Sequence, residues 1–357
     1  MGFWKDYWWV ILIVAVIVMF FLFFLLRWFK VYHISYNSEK KRHFPQWSDV
    51  GIITRDNYLL HTNYNFVEDS NSIVIGIHSL RCAKEDFIAA KDFFAEQKIS
   101  LLGFDQRNWG KNSKWKYHSL GTTIADLEDI VSVLNEKFPN QKIFLLGEAL
   151  GSAFCALALK RLEDKIDGVI LTNFITSKRV IKMTPNLICR KIIGFLFNKQ
   201  LILPIEFDLK KISDNEIYID YFNERNYRRS KQQGVTVVYG LQGDKISKAV
   251  PKNINQSTCP AMIIQTGNDI FADYDKVKVN EKNWRDTVTY RFYDQGKHAI
   301  LNDLPIQTIL QDISAWIVKI EQDTENKKLT EKNLNMEQTK TITELNKKNK
   351  VDETEFE

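Results

Sequence analysis

Two residues that could move a proton, Asp269 and His298, follow a position that should carry a nucleophile and does not. Lys142 to Leu146 is an apolar run of strand type, and Ser152 to Leu159 an apolar run of helical type. Between them lies Gly147-Glu148-Ala149-Leu150-Gly151, the G-x-S-x-G spacing of a strand–turn–helix that lifts a serine hydroxyl out of a sheet. Here the centre is Ala149, which has no oxygen to attack a carbonyl. Asp269 ends the loop after the apolar strand at 260–266, and His298 ends the loop after the alternating strand at 287–293. An aspartate can hold an imidazole in one tautomer, and the imidazole can then take a nucleophile's proton. The chain order is nucleophile position, acid, base.

Further segments share this logic. Ile75-Gly76-Ile77-His78-Ser79-Leu80 is a strand running into a His-led loop, and Asp105-Gln106-Arg107-Asn108-Trp109-Gly110-Lys111-Asn112-Ser113 follows the next strand. With the Gly147–Gly151 turn, Gly267-Asn268-Asp269 and Gly296-Lys297-His298, they resemble the monoacylglycerol lipase, lysophospholipase and serine aminopeptidase branch of the α/β-hydrolases. The resemblance covers residues 45–320. It implies an α/β-hydrolase fold, a mostly parallel sheet covered by helices on both faces, with a lid inserted at 174–255. It also implies that Leu80 and Leu150 offer backbone N–H groups to an oxyanion, that Asp269 and His298 are acid and base, and that no cofactor is needed. Three positions depart from the pattern: Ser79 and Asn108 replace glycines, and Ala149 replaces the nucleophile.

The elements needed to hold these residues can be read from the chain. Asp56-Asn57 joins two short strands at 50–54 and 58–62 as a hairpin. Strands at 73–77, 100–105 and 166–173 alternate with helical patterns at 85–97 and 123–138, which argues for a parallel sheet. All three triad positions fall at strand C-terminal ends, where such sheets bind ligands.

Residues 7–26 carry no charge. At ~1.5 Å per residue a helix of that length spans a ~30 Å hydrocarbon core. Residues 1–30 are therefore expected to be a single-pass membrane anchor, with Trp4, Tyr7, Trp8, Trp9 and Trp28 at its interfaces. Arg27, Lys30, Lys40, Lys41 and Arg42 follow the span and only Lys5 precedes it, so the following domain is expected in the cytoplasm, at the cell membrane. A secretory signal would be shorter and end at small residues. In the insertion, the apolar run from Leu187 to Phe197 reads as a helix on the lid's own core. Its alternatives are an acyl-chain wall or a surface on the bilayer beside Arg190, Lys191 and Lys199. Residues 321–357 are charged and poor in aromatics, and are expected to be a solvated tail.

Hydrophobic residues make up 45% of the 357, enough for a large core. A pI near 8.7 without a basic stripe argues against nucleic acid. The four cysteines, Cys82, Cys155, Cys189 and Cys259, show no paired spacing, which fits a reduced compartment and argues against zinc. Two function classes remain: a membrane-anchored pseudoenzyme that binds a membrane lipid, an acyl-ester ligand or a protein, and a working hydrolase acting on membrane-derived esters or peptides. The second requires a relocated nucleophile, Ser79 before Ser152 or Cys82, or an Ala149 that is an introduced change. Slow water attack is a further route.

Overall fold

The computed structural model describes residues 3–35, 43–112, 119–174, 184–204, 208–227, 234–272, 283–303, 306–326, 329–330 and 338. Ser113 and Lys40 to Arg42 lie outside them, as do most of 321–357 and parts of the 174–255 insertion. The chain divides into two compact units, Met1–Leu310 and Gln311–Glu357. A helix over 306–326 continues past the expected start of the tail at Glu321.

Among the described residues, nine strands form one sheet. They are β1 (Gln46–Ser48), β2 (Gly51–Ile53), β3 (Leu59–Asn65), β4 (Ser72–Ile77), β5 (Ser100–Phe104), β6 (Lys142–Glu148), β7 (Gly168–Thr172), β10 (Ala261–Thr266) and β11 (Val288–Tyr293), in the order β1-β2-β3-β5-β4-β6-β7-β10-β11. The β1-β2-β3 corner is antiparallel and joins β5 antiparallel; from β5 to β11 every pairing is parallel. Strands β4, β5, β7 and β10 are buried along their whole length, as a parallel sheet covered on both faces requires. Ile73, Ile75 and Ile77 of β4 share one core with α3 (Leu120–Lys137), α4 (Leu150–Leu162) and α8 (Val250–Gln256). Gly76, pointing the other way, faces the ring of Phe87 just ahead of α2 (Ile88–Glu96).

The segment after β5 braces the loops at the sheet's C-terminal end. The buried Asp105 carboxylate accepts the Lys84 and Lys111 backbone N–H groups at 3.0 and 2.7 Å and pairs with the Lys84 ammonium at 3.0 Å. Arg107 bridges Asp126 of α3 (2.6 Å) and Asp56 of the hairpin turn (2.6 Å), with its guanidinium 4.3 Å over the Tyr58 ring. Burial acts to raise the Asp56 carboxyl, but hydrogen bonds from Arg107 and Thr54 bring it down to about 2. Asn108 has φ 73°, so an asparagine tolerates the left-handed turn where the family pattern has glycine. Arg107→Met is expected to lower unfolding stability by about 3–5 kcal/mol in urea titrations, because it strands the buried Asp126 carboxylate.

The N-terminal helix α1 (Phe3–Tyr32) contains one stretch, Tyr7–Tyr32, long and apolar enough to cross a membrane, its most apolar 18 residues having mean hydropathy 3.3. Most of it is exposed, Trp28, Phe29 and Lys30 included, but Val31 at its foot is not. Val31 is fully buried in a small core with Leu187 of α5 (Pro185–Leu196), Leu203 of β8 (Ile202–Pro204), and Val237, Val238 and Leu241 of α7 (Val237–Lys248). The last carbonyls of a helix need partners from outside it. Here the Gln242 side chain donates to Val31 O and His33 O at 2.9 and 3.0 Å, and the Lys245 ammonium donates to Tyr32 O at 3.1 Å. Arg27 Nε donates to Phe195 O at 2.6 Å, and the Phe24 and Phe195 rings lie 5.4 Å apart. The Leu187–Phe197 segment thus packs both on the insertion's own core and on the foot of α1. Strand β8 pairs antiparallel with β9 (Gly234–Thr236), and α6 (Glu216–Tyr227) completes the described insertion.

Candidate active site

Strand β6 runs into α4 through a single strained residue. Ala149 sits at φ 51°, ψ −109°, a conformation that costs an L-residue of order 1–3 kcal/mol. Its flanking glycines allow the turn. A Cβ on Gly151 would lie 1.9 Å from Ile77 O, and one on Gly147 would lie 2.4 Å from Ser152 N. Ala149 N–H donates to Thr172 O at 2.9 Å, which ties the turn to β7.

Ser152 is fully buried. Its hydroxyl lies 2.7 Å from Gly147 O and 3.0 Å from Thr172 O, and it accepts the Thr172 N–H at 3.0 Å. It therefore staples the turn to β7.

His298 and Asp269 meet as the sequence spacing anticipates. His298 Nδ1 lies 3.0 Å from Asp269 Oδ1, which also accepts the Phe271 N–H at 2.8 Å. Asp269 is buried, and the Phe271 ring packs edge-on against the imidazole with centroids 4.5 Å apart. A carboxylate at this distance favours the proton on Nδ1, leaving Nε2 as an acceptor.

Ala149 and His298 border one apolar cleft. Ser79, Leu80 and Cys82 line it from the loop after β4, Glu148 from the end of β6, Phe271 and Ala299 from the loops after β10 and β11, and Ile212, Tyr218 and Phe222 from the insertion. Asp269 stands behind His298, and Leu150 opens α4 with its side chain turned into the core. Leu187–Phe197, one of whose expected alternatives was an acyl-chain wall, does not line this cleft. The wall from the insertion is Ile212 and the i, i+4 aromatic pair Tyr218 and Phe222, a spacing visible in the sequence.

Three further residues were not anticipated. Glu148 borders the cleft, and its carboxylate accepts the Leu301 N–H at 3.3 Å. Asn173, at φ 44°, places its amide nitrogen 2.9 Å from Lys297 O and 3.1 Å from His298 O, while its oxygen accepts Thr266 N–H at 3.0 Å. Asp303 accepts the Lys297 N–H at 2.6 Å. Asn173 and Asp303 hold the His298 loop from two sides. Asn173→Ala is expected to cost about 2–3 kcal/mol by urea unfolding, since buried groups of the His298 loop and of β10 lose a partner.

Residues 69–305 match the family model described as serine aminopeptidase, S33. The monoglyceride lipase of Rattus norvegicus is 23% identical over 198 residues, covering 54% of this chain. The chain spans 64% of that relative's length. Among solved structures, a Paleococcus ferrophilus monoacylglycerol lipase superposes with TM-score 0.62 at 17% identity, covering 74% of this chain and all of that one. A soluble variant of the Saccharomyces cerevisiae monoglyceride lipase, in complex with a substrate analog, superposes with TM-score 0.61 at 15% identity, covering 77% and 94%. These superpositions show the fold.

Proposed function

From the premise that this chain belongs to the serine aminopeptidase S33 family and has the α/β-hydrolase fold, we propose that it is a membrane-anchored pseudoenzyme that binds a lipid or acyl ligand in the Ala149 cleft. One observation carries the reading: Ala149 occupies the strained turn at φ 51° and borders the same cleft as His298, so the nucleophile position presents a methyl group. The apolar wall of Ile212, Tyr218, Phe222 and Phe271 suits an acyl chain. Leu80 and Leu150 are read as the oxyanion donors of the ancestral site, and Asp269 and His298 as its acid and base.

The membrane part of the proposal rests on α1. A cleaved signal would leave Val31 and the Gln242 and Lys245 partners at a fresh chain end; their packing favours a retained span. The basic residues after the span favour a cytoplasmic domain.

A direct test is native mass spectrometry of the full chain in detergent with a monoacylglycerol. One molecule should be retained intact, and Ala299→Phe, which fills the cleft, should abolish retention while circular dichroism is unchanged. Release of free fatty acid by the unaltered chain at an ordinary enzymatic rate, lost in Ser79→Ala, would instead establish the second reading, a hydrolase with a relocated nucleophile. That reading draws its support from the intact His298–Asp269 pair and from Ser79 in the cleft lining.

A further inference from the structure

The outward face of α5 is unusually apolar for a helix at the protein surface. Ile188, Ile192 and Ile193 are exposed, and Phe197, just past the helix end, is 73% exposed. Cys189 lies on the same face and is also exposed. The opposite face, Leu187 and Gly194, is buried, so the exposed residues are not displaced core. The level of this helix relative to α1 is fixed by contact. Phe195 touches Phe24, inside the uncharged run that ends at Leu26, and its carbonyl takes the hydrogen bond of Arg27, the first charge after that run. The α5 C-terminus therefore stands at the level where hydrocarbon would give way to headgroups, within ~5 Å along the α1 axis.

Charge gathers at the same level. The Lys199 ammonium is pulled below its usual range by burial and then by the neighbouring charges of Lys30 and Arg27. Three cations converging beside an apolar face match an anionic lipid surface, where a basic cluster and an inserted apolar face reinforce each other.

We propose that the foot of α1 and the outward face of α5 form one surface seated in an anionic leaflet, with Ile188, Ile192, Ile193 and Phe197 in the interfacial layer and Arg27, Lys30 and Lys199 at headgroup phosphates. This rests on the reading of α1 as a membrane span. The anchor then sets the height and tilt of the whole insertion, and does more than tether it.

The test uses the full chain in nanodiscs of phosphatidylcholine, with and without phosphatidylserine. Cys189 is a native labelling position: Cys82, Cys155 and Cys259 are buried, and burial pushes the Cys259 thiol up to about 12. A nitroxide is placed at Cys189 or, in a Cys189→Ser background, at Ile192→Cys or Phe197→Cys. Ile217→Cys on α6, where the native residue is 83% exposed, is the aqueous control. Positions 189, 192 and 197 should collide with oxygen and be shielded from a water-soluble nickel chelate, and position 217 should show the reverse. In native mass spectrometry of lipids retained from the mixed discs, Lys30→Gln with Lys199→Gln should reduce the preference for phosphatidylserine roughly fivefold per lysine removed. Chelate-accessible labels on α5, in a chain that still resists carbonate extraction, would overturn the seated surface while leaving the anchor standing. Labels shielded from both reagents, with crosslinking between copies, would assign the face to self-association and overturn it too. A chain extracted by carbonate would bring down the anchor and this surface together.

Discussion

Ala149→Ser is expected to turn a chain inert to fluorophosphonate probes into one that labels at residue 149 and hydrolyses short acyl esters. The backbone already holds the required turn, and His298 and Asp269 are already 3.0 Å apart. Loss of a catalytic serine in a triad protease costs roughly a million-fold in kcat, which bounds the gain. The gain should vanish in Ala149→Ser with His298→Ala, which separates triad chemistry from a merely exposed hydroxyl. Ser79 decides how much is recovered. It stands where the family pattern has glycine and lines the cleft beside Leu80. An oxyanion donor is worth roughly 10²–10³ in kcat, so Ala149→Ser with Ser79→Gly should exceed the single change by up to that factor if Ser79 crowds the donors. A folded double variant that neither labels nor hydrolyses would refute the view that the rest of the machinery survives. Labelling of the unaltered protein would refute the pseudoenzyme itself.

Gly151→Ala should abolish accumulation of folded protein. The added Cβ would lie 1.9 Å from Ile77 O and 2.9 Å from its carbonyl carbon. Neither side of that clash can swing away, because Gly151 lies in the first turn of α4 and Ile77 ends β4 where it pairs with Gly147. Relief requires α4 to move away from the sheet, and α4 packs in the main core. The cost is expected to exceed ~4–5 kcal/mol, a large share of the ~5–15 kcal/mol that holds a domain together. Gly243→Ala on α7 is the matched control. Its Cβ would find only Leu150 methyl groups at 3.7 and 3.9 Å, and alanine gains roughly 1 kcal/mol of helix propensity. Limited proteolysis of membranes carrying each variant should show rapid loss of the first and wild-type resistance in the second.

The sheet was legible because its signals are local. The parallel strands β4, β5, β6, β7 and β10 are short apolar runs, and the loops that follow carry the glycines and polar residues that close turns; β1, only Gln46–Ser48, has no such signal. The Gly147–Gly151 turn, Asp269 and His298 could be located for the same reason. Helix starts were less clear: α3 begins at Leu120, capped by Ser119, because Thr122 and Thr123 obscure the periodicity. What could not be read was long-range. Gln242 is an ordinary polar helix residue until its side chain is seen bonded to carbonyls 211 and 209 residues away. Asn173 looks like a loop residue, yet it holds Lys297 and His298. The run at 187–197 is apolar for two reasons at once, a buried side against α7 and Val31 and an exposed side, and hydrophobicity alone does not separate them.

The 211-residue separation of Val31 and Gln242 also orders events during synthesis. At roughly 5–20 residues per second, the ribosome needs roughly 10–40 s to make the partner that caps the foot of α1. The apolar helix is therefore complete long before α5 and α7 exist, and a membrane is the apolar environment on offer in that interval. On the proposed reading of α1 as a span, insertion would come first, and the 174–255 segment would then assemble around a helix end already fixed in place. A chain that missed the bilayer at the outset would reach α7 with its first helix still seeking apolar cover, and the exposed isoleucines of α5 would offer it the wrong one.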